Sequence, residues 1–308
     1  GLAGTGKTRT SKTCVDAWRR EEPNRMIWGC AVAGAAMQRL QEGVGEGIQC
    51  QTLQSTLWRL DKGWLTLNSK SVVIVDEAGM LGTNQLAKLI EHVKDAPGAR
   101  LVLVGDAKQL QPISAGGPFK YLASVLGVSH LTEIRRQNDL WARKAVKAME
   151  RGDSAAAIET YIENGRFHLS KTRTDAMDKL IEQWKSDGGI SDPSKVYLLA
   201  SLNSEVKALN VKAQAARINA GLVNPDKKLY ANGVFIHEGD RLQFQERSKP
   251  HDIHNSDNGT VTRVDEKLQR ISVRLDKDDR EVTVDLKRYS KNNLKLGYAS
   301  TTHKAQGA

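Results

Sequence analysis

The sequence predicts an α/β protein of two domains, each with a parallel sheet and flanking helices. Short apolar runs alternate with amphipathic stretches over residues 1–138, and a new alternation of strand and helix starts near Lys195. Both patterns are typical of buried parallel strands joined by helices. Over residues 222–293 the helical period is lost and short alternating runs appear. Those runs predict a small β-barrel-like insertion in the second domain, which covers residues 139–308.

The elements of the first domain follow from its apolar positions. Apolar runs predict buried strands at Met26–Ala33, Ser71–Val75 and Leu101–Val104. Three-to-four spacing of apolar residues, or a Gly-rich start, predicts the helices Lys7–Arg20, Gly34–Glu42, Thr83–Lys94 and Gly117–Val125. Strands that alternate with helices in this order predict a doubly wound sheet.

The elements of the second domain are predicted in the same way. Helices are expected over residues 139–164 with a break at Gly152–Asp153, and over Asp175–Trp184 and Asn203–Asn219. Strands are expected at Arg166–Leu169, Lys195–Ser201 and Gly297–Thr301. The insertion is predicted from five alternating runs, which are Val234–His237, Arg241–Gln245, Thr260–Val264, Arg270–Leu275 and Glu281–Leu286.

Composition and charge limit the class of protein. The chain has 308 residues and is 39% hydrophobic, which suffices for two domains with separate cores. Its three cysteines have no metal-ligand spacing, and no apolar run approaches the roughly 20 residues of a membrane span. We therefore expect a soluble, cytoplasmic protein without a membrane partner. The net charge of +10 favours a polyanionic partner, although many basic proteins bind none.

The first eight residues match the phosphate-binding pattern G-x-x-x-x-G-K-[ST] and run directly into a helix. In such a loop the backbone N–H groups approach the phosphates of a nucleotide, the Lys neutralises β and γ oxygens, and the hydroxyl binds Mg²⁺. The motif predicts binding of ATP and Mg²⁺ by five residues: Gly4, Thr5, Gly6, Lys7 and Thr8. A Gly-rich turn before a helix is the alternative interpretation.

Two further strands end in polar residues. Asp76 and Glu77 follow the buried strand at Val75, where a carboxylate can hold Mg²⁺ and a second one can orient or deprotonate the attacking water. An acidic pair that only caps the next helix is the alternative. Gln109 follows the strand at Val104 and can contact a γ-phosphate oxygen; a turn without function is its alternative.

Basic residues occur in two later segments. In Leu131–Gln137, the arginines Arg135 and Arg136 offer a guanidinium that can stabilise charge on the γ-phosphate, while either could instead face solvent. The last segment predicts contacts with consecutive backbone phosphates of a nucleic acid through four residues: Thr301, Thr302, His303 and Lys304. His303 has no second ligand at helical spacing, so a metal site is not expected there.

Taken in order, these motifs resemble those of superfamily 1 helicases, branch 1B, with RecD-like members. The segment Gly105–Ile113 is similar to their motif III, Arg136 stands where motif IV has its arginine, and Tyr298–Gly307 is similar to their Thr-x-His-Lys-x-Gln-Gly motif. Most similar is the helicase part of TraA-type conjugative relaxase-helicases. The resemblance implies two RecA-like P-loop domains, the second with an SH3-like insertion.

The resemblance also implies a function. The motor would be an ATP-dependent helicase or translocase that moves 5′ to 3′ on single-stranded DNA or tailed duplexes, in conjugative transfer, recombination or repair. Its catalytic residues would be Lys7, Glu77, Gln109 and Arg136, and its DNA contacts in the first domain would be Ala33, Gly34 and Thr52. We expect the tryptophans Trp18, Trp28, Trp58 and Trp64 in the core rather than as base-stacking platforms, and of these Trp64 is the one candidate for stacking on a base. Five basic residues of the insertion could contact the DNA strand, with a solvated surface as the alternative: Arg241, Arg247, Lys249, Arg263 and Lys267.

Other expectations concern what lies outside the sequence. By resemblance, a Gln that reads adenine would precede Gly1 and a second phosphate-sensing Arg would follow Ala308, so a fragment truncated at both ends is expected. A covalently linked relaxase domain could also lie outside the chain. A P-loop ATPase that acts on RNA or protein is the alternative function.

Overall fold

Two parallel strands of the first predicted domain are buried because every residue in them is apolar, or is a Gly or Cys, up to the final Asp76. The computed structural model describes residues 5–108, 115–131 and 137–305. The fold is mixed α/β with a parallel sheet, and it separates into two compact units between His168 and Leu169. This division lies 30 residues after the expected domain boundary at residue 138, so residues 139–168 group with unit 1 (168 − 138 = 30).

Unit 1 is built on a four-stranded parallel sheet of order β2-β1-β3-β4. Its strands are β1 Ile27–Ala31, β2 Gln49–Thr52, β3 Val72–Asp76 and β4 Arg100–Leu103. Its helices are α1 Lys7–Glu21, α2 Gly34–Val44, α3 Leu53–Asp61, α4 Thr83–Lys94, α5 Pro118–Leu126, α6 Leu140–Glu150 and α7 Ser154–Glu163. All strands and helices predicted for the first domain are confirmed.

The strand β2 and the helix α3 are absent from the sequence prediction. The strand β2 contains Gln49 and Gln51, so it shows no apolar run. Alternate residues of β3 enter different cores, with Val73 and Val75 on one face of the sheet and Val72 and Ile74 on the other. A strand that is apolar on both faces is therefore covered by helices on both sides, which holds its carboxyl end in a fixed position.

Unit 2 combines a short parallel pair with an antiparallel sheet. Its helices are α8 Arg173–Ser186, α9 Asn203–Asn219 and α10 Thr302–Ala305. Its strands are β5 Leu198–Ala200, β6 Asn224–Ala231, β7 Val234–Glu238, β8 Arg241–Phe244, β9 Asn258–Asp265, β10 Arg270–Leu275, β11 Glu281–Asp285, β12 Leu294–Leu296 and β13 Ala299–Thr301. The strand β13 pairs in parallel with β5.

The β-rich segment lies between α9 and β13 in the chain and forms its own core. It contains the hairpin β6-β7 and a five-stranded antiparallel sheet of order β11-β10-β9-β8-β12. Leu242 and Phe244 of β8 are completely buried in this core, together with Ile236 of the hairpin. Seven strands thus occur between α9 and β13, where the sequence predicts the insertion at 222–293.

The strand predicted at Arg166–Leu169 is wrong, because these residues form no strand and their side chains are exposed. Phe167 and Leu169 expose 40% and 78% of their surface, and no strand lies beside them in the described parts of the chain. Over those same parts, no helix has both the length and the apolar character that crossing a membrane requires.

Candidate functional site

The helix α1 starts at a position suited to bind an anion. Its N-cap Gly6 has φ 81° and ψ 29°, a left-handed conformation that favours glycine. Among the described residues, nothing lies within 4 Å of the point that a Cβ on Gly6 would occupy, so these residues leave the space beside the helix start open. The first turn contains no acidic side chain. Unpaired N–H groups at a helix N-terminus attract phosphates, and the first turn of α1 places no acidic side chain against them.

Thr8 is held against the neighbouring helix α2. A Cβ placed on Gly43 would lie 2.3 Å from Cγ2 of Thr8, which is too close for any side chain. Glycine at this position therefore allows α1 and α2 to approach, and the methyl group of Thr8 packs where the helices meet. The half-buried Thr8 is consequently restrained by packing as well as by the helix.

Asp76, the last residue of β3, lies beside Ala31 of β1 in the sheet and exposes 8% of its surface. Burial raises the pKa of its carboxyl group, and the charge of Glu77 adds to that effect. The backbone N–H of Glu77, which donates to Oδ1 over 2.9 Å, lowers the same pKa, as do the charges of Lys7 and Arg39. The structure therefore brings the predicted phosphate-binding Lys and the predicted Mg²⁺ ligand close enough to interact.

Glu77 has a strained backbone. Its φ of 50° and ψ of 41° lie in the left-handed region, which costs a residue with a Cβ about 1 kcal/mol. The strain is maintained by its neighbours, since Ala78 N–H donates to the Val104 carbonyl over 2.8 Å. A Cβ on Gly79 would lie 2.7 Å from the Asp106 carbonyl, so the loops after β3 and β4 are packed backbone to backbone. Such strain is frequent at functional sites.

Arg39 of α2 is a residue that the sequence analysis missed. It acts on the charge of Asp76 although it lies 37 residues earlier in the chain (76 − 39 = 37). A basic residue in the second turn of the helix after β1 is the only local signal for it. The nearby Cys50 has its pKa raised to about 12 by burial and by the charge of Asp76, so this thiol is neutral and unreactive.

Three predicted site residues, Gly4, Gln109 and Arg136, lie outside the described residues. Thr5 is buried and Lys7 is half-buried at the start of α1. The described part of the site therefore contains the ammonium group of Lys7, the carboxylates of Asp76 and Glu77, and the N-terminus of α1. It can bind a phosphate chain together with a hard cation.

The predicted DNA contacts of unit 1 lie near the same edge of the sheet. Ala31 pairs with both Thr52 and Asp76, so the carboxyl ends of β1, β2 and β3 are level. Ala33 is the N-cap of α2 and Gly34 is its first residue. Thr52 is the N-cap of α3, and its hydroxyl accepts a hydrogen bond from Ser55 N–H over 3.3 Å. The Thr52 side chain thus has at least a structural role.

Trp64 exposes 67% of its surface and contacts Trp58 edge to face, with ring centroids 4.5 Å apart. Trp58 was expected in the core, but it exposes 46%. Trp28 is buried as expected, where its Nε1 donates to Thr56 Oγ1 over 3.0 Å. The base-stacking prediction for Trp64 is compatible with its exposure and stays a prediction.

In unit 2 the predicted phosphate contacts follow β13. Thr301 ends the strand, and its Oγ1 accepts a hydrogen bond from the backbone N–H of Lys304 over 3.2 Å. His303 is exposed, while Thr302 is half-buried. The Nζ of Lys304 donates to Oε1 of Gln245, at the end of β8, over 3.0 Å. The four residues therefore lie together at the carboxyl end of one parallel strand.

The segment Gly239–Arg241 has a structural role. Asp240 is completely buried and accepts hydrogen bonds from Tyr298 Oη at 2.7 Å and from Gln214 Nε2 at 2.6 Å. Arg241 exposes only 4% of its surface and pairs with Asp276, with Nη1 and Oδ1 2.7 Å apart. The suggestion that Arg241 grips DNA is therefore wrong, because its guanidinium is already used inside the unit.

Among the residues that the structure describes, no group of three or more His, Cys, Asp or Glu side chains could hold a metal ion. Two histidines close in the chain contact other groups: Nδ1 of His251 lies 2.8 Å from Oγ of Ser248, and Nδ1 of His254 lies 3.2 Å from Nζ of Lys277. Thr8 and Asp76 remain as oxygen donors near the helix start. They suit Mg²⁺, which commonly takes one or two protein ligands and completes its shell with phosphate oxygens and water.

A Gly-Lys-Thr helix start beside a buried carboxylate at a strand end is typical of nucleotide-binding α/β proteins. The chain belongs to the AAA domain family, which matches residues 1–172. Membership of this family implies nucleotide binding.

Curated relatives of two kinds match the whole chain. It is 36% identical to the probable conjugal transfer protein TraA of Sinorhizobium fredii and covers 27% of that protein. It is 29% identical to the ATP-dependent RecD2 DNA helicase of Deinococcus radiodurans and covers 41% of it. The chain thus spans about a quarter of the length of the TraA protein and less than half of RecD2. The predicted resemblance to TraA-type and RecD-like proteins is confirmed.

Among solved structures, the chain is similar to the Pif1 helicase from Bacteroides in complex with ADP-AlF3 and single-stranded DNA. The TM-score is 0.57 at 16% identity, and the match covers 100% of this chain and 79% of the other. A second Pif1 structure, at forked double-stranded DNA, gives a TM-score of 0.55 at 18% identity. At these identities the likeness concerns the fold.

Proposed function

We propose that the chain is the ATP-driven motor of a superfamily 1B DNA helicase or translocase, within a longer conjugal transfer, recombination or repair protein. The observation that carries the proposal is the grouping of Lys7, Asp76 and Glu77 at one edge of a parallel sheet, next to an open helix start. The TraA and RecD2 relatives support the choice of DNA as the partner.

The nucleotide would be held by the loop before α1. Backbone N–H groups of Gly4, Thr5 and Gly6 would bind the phosphates, and Lys7 would neutralise the β and γ oxygens. Thr8 and Asp76 would hold Mg²⁺, which when bound neutralises charge on the phosphate oxygens. Asp76 lies at the end of β3, where burial raises its pKa and the charges of Lys7 and Arg39 act in the opposite direction, toward the charged form that would bind Mg²⁺.

Glu77 would act on the attacking water. Its carboxylate would accept a hydrogen bond from the water, orient it toward the γ-phosphate and take up its proton. The strained backbone of Glu77, packed against the loop after β4, would hold the side chain at this position. Gln109 would sense the γ-phosphate and Arg136 would stabilise its charge, both by resemblance.

The DNA would be bound at two places. Ala33, Gly34 and Thr52 would contact it in unit 1, and the residues after β13 would contact its backbone in unit 2. We further propose that the chain contains two RecA-like domains, with the β-rich segment as an SH3-like module of the second. A domain boundary near residue 138, a 5′ to 3′ direction and a relaxase domain elsewhere in the parent protein belong to the same proposal.

Strand displacement on tailed duplexes tests this function. ATP-dependent unwinding should require a 5′ overhang, while unwinding only from a 3′ overhang would contradict the direction. Hydrolysis stimulated by single-stranded RNA or by a protein, and not by single-stranded DNA, would favour the alternative P-loop ATPase. The same assay with a non-hydrolysable ATP analogue is the control for ATP dependence.

A further inference from the structure

One face of the strands β8 and β12 carries polar side chains. Gln243 of β8 is buried, and the half-buried Gln245 directly follows the strand, two residues later and on the same side, while Leu242 and Phe244 enter the core. Lys295 of β12 lies directly opposite Gln243 in the antiparallel register. A lysine of the β-rich segment is therefore placed beside a row of amides.

A second lysine reaches the same place from a different element. Lys304 of α10 donates from Nζ to Oε1 of Gln245 over 3.0 Å. Its pKa is lowered to about 8, first by burial and then by the charge of Lys295. Burial also lowers the pKa of Lys295. The two amines are thus close neighbours in a partly dry site.

This lysine pair has no negative partner among the described residues. Neither Lys295 nor Lys304 forms an ion pair there, and the amides around them continue as a neutral chain from Gln245 to Gln243 and Asn258. Two other buried or half-buried cations of the β-rich segment do have carboxylate partners: Arg241 pairs with Asp276, and Lys277 pairs with Asp257.

Two adjacent ammonium groups in a half-buried position repel each other, and burial weakens their hydration. An anion between them would offset both the repulsion and the lost hydration. A phosphate oxygen is suited to this position, since Lys binds phosphate as a point charge and the pair faces no carboxylate among residues 137–305.

We propose that Lys295 and Lys304 together hold one backbone phosphate of bound single-stranded DNA, and that Gln245 positions Lys304 for this contact. The proposal rests on the proposed function and adds a residue to it, because Lys295 belongs to none of the motifs. The contact joins the β-rich segment and the end of β13 to the same nucleotide of the strand.

Equilibrium binding of a fluorescent oligothymidylate, followed by anisotropy over a series of salt concentrations, tests the proposal. The variants are Lys295→Gln, Lys304→Gln and the double variant, with Lys295→Arg as the charge-conserving variant. Lys287→Gln removes one exposed lysine of the same unit and is the matched control. Thermal unfolding of each variant separates a loss of folding from a loss of binding.

We expect each Gln variant to weaken binding about tenfold, the size of a lost charge-assisted hydrogen bond. The double variant should lose less than the product of the single effects, because both lysines serve one phosphate. Its plot of log affinity against log salt should become shallower by about 0.7, the value for one phosphate of a single strand. Lys295→Arg should bind almost as tightly as the unchanged protein.

Several outcomes would overturn the proposal. If Lys295→Gln binds DNA as Lys287→Gln does, while the unchanged protein binds tightly, the phosphate contact is wrong and the proposed function stands. A slope change of about 1.4 in the double variant would mean two separate phosphates. A raised KM for ATP with unchanged DNA affinity would assign the pair to the nucleotide. If the unchanged protein binds no single-stranded DNA, both proposals fail.

Discussion

The two polar sites of the molecule differ in how their charges are balanced. In unit 1 the carboxylates of Asp76 and Glu77 are accompanied by Lys7 and Arg39, which act on Asp76. In unit 2 the lysines Lys295 and Lys304 act on each other, and no carboxylate pairs with them among the described residues. A mixed site suits a ligand that carries both signs, such as a nucleotide with Mg²⁺. A purely cationic site suits a bare anion.

The two sites also differ in their backbone. Glu77 has a left-handed conformation held by contacts between loops, which is the rigid and strained arrangement that chemistry needs. The lysine pair lies on a regular strand and a short helix without positive φ. We therefore expect changes in unit 1 to alter catalysis, and changes in unit 2 to alter binding.

The largest expected effect is on catalysis. Glu77→Gln should lower kcat for ATP hydrolysis by about 10²–10⁴-fold, because the amide cannot take a proton from water. Binding of a fluorescent ATP analogue should be retained, since the side chain keeps its size. Glu91→Gln, on the exposed face of α4, is the matched control. A kcat unchanged in Glu77→Gln would remove the catalytic distinction between the two sites.

The hydrogen bond beneath the unit 2 site should contribute to the free energy of unfolding. Tyr298 lies just before β13 and donates a hydrogen bond from Oη to the buried Asp240, and Tyr298→Phe removes this bond. We expect the free energy of unfolding to fall by about 2 kcal/mol in urea titrations. Single-stranded DNA should bind more weakly, while nucleotide affinity stays the same. Loss of nucleotide affinity would show that the two sites depend on each other.

A smaller effect, on the affinity for Mg²⁺-ATP, is expected when a side chain at position 43 is packed against Thr8. Gly43→Ala places a methyl group against Cγ2 of Thr8 and should weaken binding of Mg²⁺-ATP about tenfold, since overpacking costs about 1–3 kcal/mol. Adding Thr8→Ser removes Cγ2 and keeps the hydroxyl, so the double variant should recover most of the affinity. Calorimetric titration measures both. Equal affinity in Gly43→Ala and the double variant would contradict the packing role.

The smallest effect concerns pH and stability. The pKa of Lys304 is about 8 in the folded protein, against 10.5 as its ordinary value. Below pH 8 Lys304 is protonated in both the folded and the unfolded protein, so it adds no pH dependence. Between pH 8 and 10.5 the unfolded protein binds more protons than the folded one, so the free energy of unfolding should rise with pH. Lys295 is the charged group facing Lys304, and Gln245 is neutral. Lys304→Met should flatten this rise in urea unfolding. An unchanged rise would show that the lysines are not coupled.

Much of unit 1 could be predicted because its signals are local. The apolar runs of β1, β3 and β4 and the phosphate-loop pattern each lie within a few residues. The helix α9 was also predicted with its observed bounds, Asn203–Asn219. The placement of Lys7 near Asp76 follows from the rule that carboxyl ends of parallel strands share one edge.

What could not be predicted depends on contacts distant in sequence. The strand β6, Asn224–Ala231, is mostly polar and exposed, so it lacks an apolar signal. Arg241 looks like a surface residue until Asp276, 35 positions later, pairs with it inside the unit. Lys295 lies near Lys304 only because β12 pairs with β8 in the register that puts Lys295 opposite Gln243, and because β13, which precedes Lys304, pairs with β5. No local pattern contains that register.

We propose above all that this chain is a DNA-stimulated ATP motor whose phosphate loop contains Lys7. The most direct test measures ATP hydrolysis with and without single-stranded DNA in the unchanged protein, in Lys7→Ala, and in Lys12→Ala, which alters an exposed lysine of the same helix. We expect DNA to stimulate ATP hydrolysis in the unchanged protein and in Lys12→Ala. In Lys7→Ala the DNA-stimulated rate of hydrolysis should be lower by about 10²-fold or more. Full DNA-stimulated hydrolysis in Lys7→Ala would contradict the account.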